Sequence, residues 1–408
     1  MAAATFATGR ATVVALAIGV LGLALGLAVG LTQGVLPGSI LMGFVFWVGL
    51  SLGGLALLLI GHMAGGSWAA VIRRPLEAMV SALPVALLFF IPIVLLIPQL
   101  YPWADAAYVE AHELVAWKAG YLNTTWYVLR AVLYFGVWVL TAWVYLRGAR
   151  EQDRVGVGPA GRIGYRLKNQ AAAWLVVYVL TITLATTDWT MSLTPEWWSG
   201  IYGVVFMIGQ AIAAMALVIL TVVWTADRSA RMDELLTEKR LQDLGNFLMA
   251  FTMFWAYVNA SQLIIQWSNN VVETNTFFNL RLNQEPWAGM GIYLLVAGFA
   301  LPFLVLFSRW VKRKRGALAF MAGWAILTQI VHVYWYVAPA VGRAGLPGVA
   351  DLAILVGLGG VWSAAYFRSL GSRSVVPEHD PRLLAAEHVA HGAHHDAGAA
   401  TPEVRHAG

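Results

Sequence analysis

No cysteine occurs in the 408 residues of this chain. Thiolates hold iron–sulfur clusters, and covalent haem needs a C-x-x-C-H sequence. The chain therefore has no means of its own to hold either centre, and it forms no disulfide. Charge is scarce as well. Asp, Glu, Lys and Arg make up 12% of the residues, about half of the ~25% usual in a soluble domain. The net charge of +5 is spread through short loops between apolar runs. That is a mark of topology and does not point to a nucleic-acid surface. What is abundant is apolar and aromatic: 60% hydrophobic residues and 19 Trp.

Crossing the hydrocarbon takes roughly 20 apolar residues in a helix. Ten such runs lie near 12–32, 39–63, 78–98, 124–146, 170–190, 200–224, 244–267, 288–308, 317–338 and 348–368. The first resembles a signal peptide in position. It is long, is preceded only by Arg10 and lacks a small-residue cleavage site, so it is read as a helix. Pro84 and Pro92 fall inside the third run and predict a kink there.

Cytoplasmic loops are enriched in Lys and Arg. Basic residues follow the second run (Arg73, Arg74), the fourth (Arg147 to Lys168), the sixth (Arg228 to Arg240) and the eighth (Arg309 to Arg315). The opposite loops hold only Lys118, Arg281 and Arg343. The alternation predicts both termini in the cytoplasm. Trp103, Trp117, Trp126, Trp189, Trp197, Trp198, Trp267, Trp287 and Trp335 gather toward the outer side. They read as a lipid-anchoring belt or as a docking face for outer partners. Residues 105–118 predict a short amphipathic helix on that face. Residues 229–243 predict a mixed-charge helix on the other, capped by Ser229. From Val375 the chain is Ala-, Gly- and His-rich, with His388, His391, His394 and His395. Such a cluster could bind a metal, but the composition cannot bury a core and reads as a disordered solvated tail.

Polar groups in hydrocarbon are costly and usually face the bundle interior. Three sets recur at i, i+3, i+7, which places each on one helix face: Tyr127, Arg130 and Tyr134; Asn259, Gln262 and Gln266; Gln329, His332 and Tyr336. By the orientation above, all three lie in the outer half and would line a polar cavity. Asp188 ends the fifth run on that side. Arg130 lies about six residues below its helix end, or ~9 Å, so an Arg130–Asp188 pair is within geometric reach. Asn and Gln stripes also serve as glue between helices, the expected role of Gln210. On the inner side, His62 and Glu77 with Arg73 and Arg74 would form either a proton entry or a hydrated loop. A haem b site needs two intramembrane His at similar depth. His62 and His332 sit near opposite faces of a ~30 Å core, so no haem is expected.

Several stretches resemble the large membrane subunits of bacterial alternative complex III. They are GHMAGGSWAAVIRRPLEA (61–78), IPQLYPWA (97–104), YLNTTWYVLRAVLYFGVW (121–138), TDWTMSLTPEWWSGIYGVVFMIGQ (187–210) and LGNFLMAFTMFWAYVNASQLIIQW (244–267). The resemblance is closer to the ActF type than to its sister ActC, and its most specific block is Asp188 to Gly203. These subunits are similar to the NrfD-like, polysulfide-reductase-type membrane anchors. The resemblance implies an all-α integral membrane fold of two four-helix bundles with peripheral helices. The spacing accommodates it: peripheral helix 1–38, first bundle 39–190, second bundle 191–338, peripheral helix 339–374, tail 375–408.

The resemblance further implies a bacterial inner-membrane complex that oxidises quinol, with menaquinol or another quinol as substrate. Its partners would be a sister NrfD-like membrane subunit, an iron–sulfur subunit and c-type cytochrome subunits, which carry the clusters and haems. This chain would supply quinone-binding surface or a proton path. Candidate residues are Arg130, Asp188, His332, Tyr127, Tyr134, Gln262, Asn259, Gln329, Tyr336, His62 and Glu77. An independent secondary transporter of a small solute is the competing expectation. Against it, no two matching spans are split at mid-membrane by Gly/Pro-rich breaks.

Overall fold

The computed structural model describes residues 8–155, 157–269, 272–380 and 382–383. Hydrocarbon offers no partner for a backbone N–H or C=O, so each crossing segment must close its own hydrogen bonds as a helix. Ten helices long and apolar enough to cross a membrane result: α1 Gly9–Thr32, α2 Leu36–Ala64, α3 Arg73–Leu95, α4 Thr124–Arg154, α5 Val157–Trp189, α6 Tyr202–Ala226, α7 Glu238–Asn269, α8 Trp287–Phe307, α9 Arg315–Val337 and α10 Val349–Leu370. No β-strand occurs among the described residues. The chain is an all-α, multi-pass membrane protein.

Helices α2 to α5 pack as one group and α6 to α9 as another. The groups meet where α2 crosses α6. Of the most apolar 18 residues, 89% are buried in α2 and 72% in α6, against 22% in α1 and in α8. The seam is tight because of Gly53: a Cβ there would collide with the carbonyl of Gln210. Gln210 also accepts from Tyr178 on α5 at 3.2 Å, the gluing role its isolation suggested.

α1 lies outside both groups, packed along α10. Gly19, Gly22 and Gly26 of α1 face Gly357, Gly360 and Ile354 of α10. A Cβ on Gly22 would stand 2.8 Å from the Cα of Gly357. Small residues let backbones approach this closely, and close packing is what joins helices in lipid. We expect Gly357→Val to cost about 1–3 kcal/mol, as overpacking does. Gly323→Val is the comparator, since nothing stands within 4 Å of a Cβ there. Thermal unfolding of the detergent-extracted protein checks this: equal midpoints for the two variants would remove the α1–α10 seam as a source of stability.

The third run does more than kink. It divides into Arg73–Ser81, Leu83–Leu88, Ile91–Leu95 and Ile97–Leu100, with Pro84, Pro92 and Pro98 in the first turns of the last three. Each ring removes a donor and crowds the preceding turn. The junctions close by tighter bonds, such as Ala82 N to Met79 O at 3.2 Å and Leu96 N to Ile93 O at 3.1 Å.

Three surface segments differ from expectation. The basic stretch between the fourth and fifth runs is a helical extension, with α4 running to Arg154 and α5 starting at Val157. The amphipathic segment at 105–118 breaks at His112 into Ala106–Ala111 and Glu113–Trp117, the first capped by Asp105. The mixed-charge segment breaks after Ala230–Leu235, which Ser229 does cap, and α7 begins at Glu238. The start of the expected tail is packed, since Val375, Val376, Asp380 and Leu383 are all buried. His388, His391, His394 and His395 lie outside the described residues.

The tryptophan belt also divides. Trp117, Trp126, Trp198 and Trp267 are exposed, as anchors would be. Trp103, Trp189, Trp197, Trp287 and Trp335 are buried and belong to the packing.

Candidate functional site

The polar residues gather into three clusters. The first sits near the tryptophan-rich face of the first bundle. Asp188 ends α5 and is 1% exposed. Arg130 on α4 grips it with both arms, Nε to Oδ2 and Nη2 to Oδ1, each at 2.9 Å. Tyr134, one turn below, donates its hydroxyl to Oδ2 at 2.9 Å. Bidentate charge-assisted geometry fixes both direction and distance. The spare Nη1 of Arg130 donates to the carbonyl of Tyr121 at 2.9 Å, and its guanidinium stacks 3.7 Å from the Tyr121 ring. Beside this pair, Tyr127 and Tyr101 share a hydroxyl hydrogen bond of 2.8 Å, and Tyr101 donates to the carbonyl of Trp189. Tyr101 and Tyr121 were not among the candidates. They come from chain outside the regular i, i+3, i+7 pattern, so periodicity carries no signal for them.

The second cluster lies in the other bundle. The stripes of α7 and α9 face each other. Tyr336 donates to Asn259 Oδ1 at 2.8 Å, and Trp255 donates its indole N–H to His332 Nε2 at 3.3 Å. Gln266 accepts from Trp197 at 3.0 Å. Gln262 is buried with neither amide atom hydrogen-bonded, and Gln329 Oε1 is likewise without a partner. A cavity of about 20 Å³ at the seam is lined by Gly49, Gln210, Gln329 and His332, room for about one water. The expectation that all three stripes line one outer cavity is corrected. Those of α7 and α9 meet, whereas that of α4 turns toward α5 in the first bundle. His332 therefore does not join Arg130 and Asp188.

Arg281 corrects another reading. It was counted as a loop charge, yet it is 1% exposed. Its guanidinium lies 3.5 Å from the Phe277 ring centroid and donates to the carbonyls of Phe277, Trp335 and Tyr336. Burial lowers its pKa to about 10, so it remains a cation at neutral pH. Its work is to satisfy carbonyls at the end of α9 that no helical N–H reaches.

The third cluster lies at the opposite, basic face, at the start of α3. Glu77 is 1% exposed and holds three guanidinium groups: Arg73 at 2.6 Å, Arg74 at 2.8 Å and Arg373 at 3.0 Å. Arg73 also binds Asp380 at 2.7 Å and Gln152 at 2.6 Å, and Arg74 binds Asp153 at 2.6 Å. Arg382 doubles onto Asp380 and reaches the carbonyl of Gly61. Burial alone would raise the pKa of Asp380, but the hydrogen bonds and charges of Arg382 and Arg73 outweigh it and hold the carboxyl far below its ordinary range. The hydrated-loop reading of this corner is thus corrected: Arg73, Arg74, Glu77 and His62 are all buried. His62 and Glu77 do not form an acid–base pair either. Glu77 is saturated by arginines, and His62 packs on the Tyr145 ring with Nε2 unbonded. Gln152, Asp153, Arg373, Asp380 and Arg382 were missed because they lie far from α3 in sequence.

The first and third clusters are joined along one face of α4. Tyr134, Trp138, Thr141, Tyr145 and Gln152 are all buried. Trp138 donates to Thr181 at 2.8 Å, and Tyr145 donates to the carbonyl of Leu167 at 2.9 Å. The first bundle thus carries a column of polar side chains between a buried ion pair at one face and an arginine–carboxylate network at the other. Compared with protein-family models and with curated proteins, the sequence matches none.

Proposed function

We propose that this chain is a membrane subunit of a quinol:electron-acceptor oxidoreductase of the alternative complex III type, and that it supplies a proton path alongside redox partners. The observation that supports this reading best is the column in the first bundle. Quinol oxidation releases two protons with its two electrons, and a subunit without thiolates can still move protons. Tyr134, Thr141 and Tyr145 are the groups of this face that can both accept and donate a proton. They stand seven and four residues apart, or about 10 and 6 Å along the helix axis, which one or two bridging waters span. Trp138 only donates, and orients Thr181 beside them. His62 lies beside Tyr145 at the inner end. Asp188 is the ionisable group at the outer end, oriented by Arg130 and Tyr134. In this reading the basic face is cytoplasmic, the membrane is the bacterial inner membrane, and haems and iron–sulfur clusters reside on the partners.

Mild extraction of the tagged chain should bring haem-stained partners with it. A chain that extracts alone would defeat the assembly reading. In the reconstituted complex, Tyr145→Phe and Asp188→Asn should lower the ratio of protons moved to electrons transferred. An unchanged ratio and rate in both variants would leave the column purely structural. Because native Cys is absent, sidedness is read by single substitutions: Glu110→Cys should react with an impermeant external reagent and Gly316→Cys should not. The reverse pattern inverts the topology.

A further inference from the structure

The largest cavity described lies at the basic face, walled on one side by the arginine–carboxylate network. It measures about 1310 Å³ and opens between the ends of α3, α4 and α10, the segment around Ser229 and the strap 372–379. Five arginines line it: Arg74, Arg150, Arg154, Arg231 and Arg373. Asp153, Glu234 and Glu378 also line it, and buried Glu77 behind the wall holds Arg74 and Arg373. Lining arginines thus outnumber lining carboxylates by five to three, and Glu77 is shared with Arg73 as well. Arg150 and Arg154 have no ion-pair or hydrogen-bond partner among the described residues. Arg74 is 5% exposed, and its Nε has no hydrogen-bond acceptor.

The position of the cavity matters as much as its charge. Leu146, the last residue of the apolar run in α4, and Ser81 on α3 line it. Arg150 and Arg154 stand four and eight residues further out on α4, about 6 and 12 Å. The polar headgroup layer occupies about 5–8 Å beyond each edge of the hydrocarbon. Arg150 is therefore at the level of lipid phosphates, with Arg154 just above it. Basic pockets between transmembrane helices at this level recognise phosphate headgroups. The bilayer itself presents phosphodiesters at this level, one negative charge each, whereas nothing places a free phosphate there.

We propose that this cavity binds the phosphodiester headgroup of an anionic membrane lipid, with Arg150 and Arg154 as its principal contacts. The inference is independent of the redox reading. The test uses the full chain in whatever assembly it extracts with, delipidated and then supplied with phosphatidylglycerol, phosphatidylcholine or inorganic phosphate. The readouts are retained lipid by mass spectrometry and the thermal midpoint. Phosphatidylglycerol should be retained and should stabilise the protein. R150Q/R154Q should raise the concentration needed by about ten- to thirtyfold, from two lost surface charges. R162Q/K168Q removes equal charge from the neighbouring start of α5, outside the cavity, and should change nothing. Phosphatidylcholine performing as well, or R150Q/R154Q behaving as the unmodified chain, overturns the proposal. So does inorganic phosphate displacing the lipid and stabilising equally, since the site would then be one for a free ion. If R150Q/R154Q does not extract, R150K/R154K keeps the charge and should retain the lipid; loss of retention there also counts against it.

Discussion

Glu77→Gln should destabilise the protein by about 3–5 kcal/mol, the cost of breaking a buried ion pair from one side. The volume and one hydrogen-bond acceptor are kept, so the effect isolates charge. Arg73, Arg74 and Arg373 converge on this carboxylate within 3.0 Å. Without it, four buried or half-buried arginines face only Asp153 and Asp380. A second substitution gives the sharper result. Arg373→Gln in the Glu77→Gln background restores the charge balance and should recover a good part of the loss. Neighbours in one network are expected to couple rather than add. Denaturant or thermal midpoints of the extracted protein measure both. If the double variant is the sum of the singles, the network is a set of independent pairs and the argument fails.

At the other face the two partners of one ion pair should behave unequally. The Asp188 side chain is 1% exposed and that of Arg130 is 15%. Arg130→Leu strands a carboxylate where no water reaches it, leaving only tyrosine hydroxyls, chiefly that of Tyr134. The expected cost is again about 3–5 kcal/mol. Asp188→Leu strands a guanidinium that stacks on exposed Tyr121 and has a long stem. It can swing toward the interface, so the cost should be smaller, about 1–2 kcal/mol. Arg281→Leu is no neutral comparison, because that guanidinium caps three carbonyls. The exposed Arg162→Leu serves instead. Equal losses for Arg130→Leu and Asp188→Leu would show that depth does not set the energetics of the pair.

Much of this was legible in the sequence because lipid imposes strict rules. A run of about 20 apolar residues has one structural solution, and all ten runs became helices. Arg130 and Asp188 could be paired from depth alone, because a charge within a span demands a partner. The same logic failed for Arg281. It lies in a segment between spans, where charge carries no obligation, and only the fold shows that it closes the end of α9. Glu77 was visible as an ionisable group at a helix end. Its ligand Arg373 was not, nor was Asp380, which shares Arg73 with it, since both arrive from about 300 residues away, at and beyond the end of the last helix. The α4 stripe was seen only in its outer part. Below Tyr134, tryptophan and threonine look like core residues, and only Thr181 and Tyr145 in place make them a column.

The glycine seam between α1 and α10 has a consequence in time. A ribosome adds about 5–20 residues per second, and roughly 340 residues separate the end of α1 from the end of α10. For about 20–70 seconds, then, α1 has been made while its partner has not. During that interval its notched face, Gly19, Gly22 and Gly26, meets lipid or the insertion machinery. The last helix inserted is the one that docks the first. Detachment of α1 is thus the state through which every newly made copy passes, and a Gly357 variant would prolong a stage of manufacture as well as weaken the finished protein.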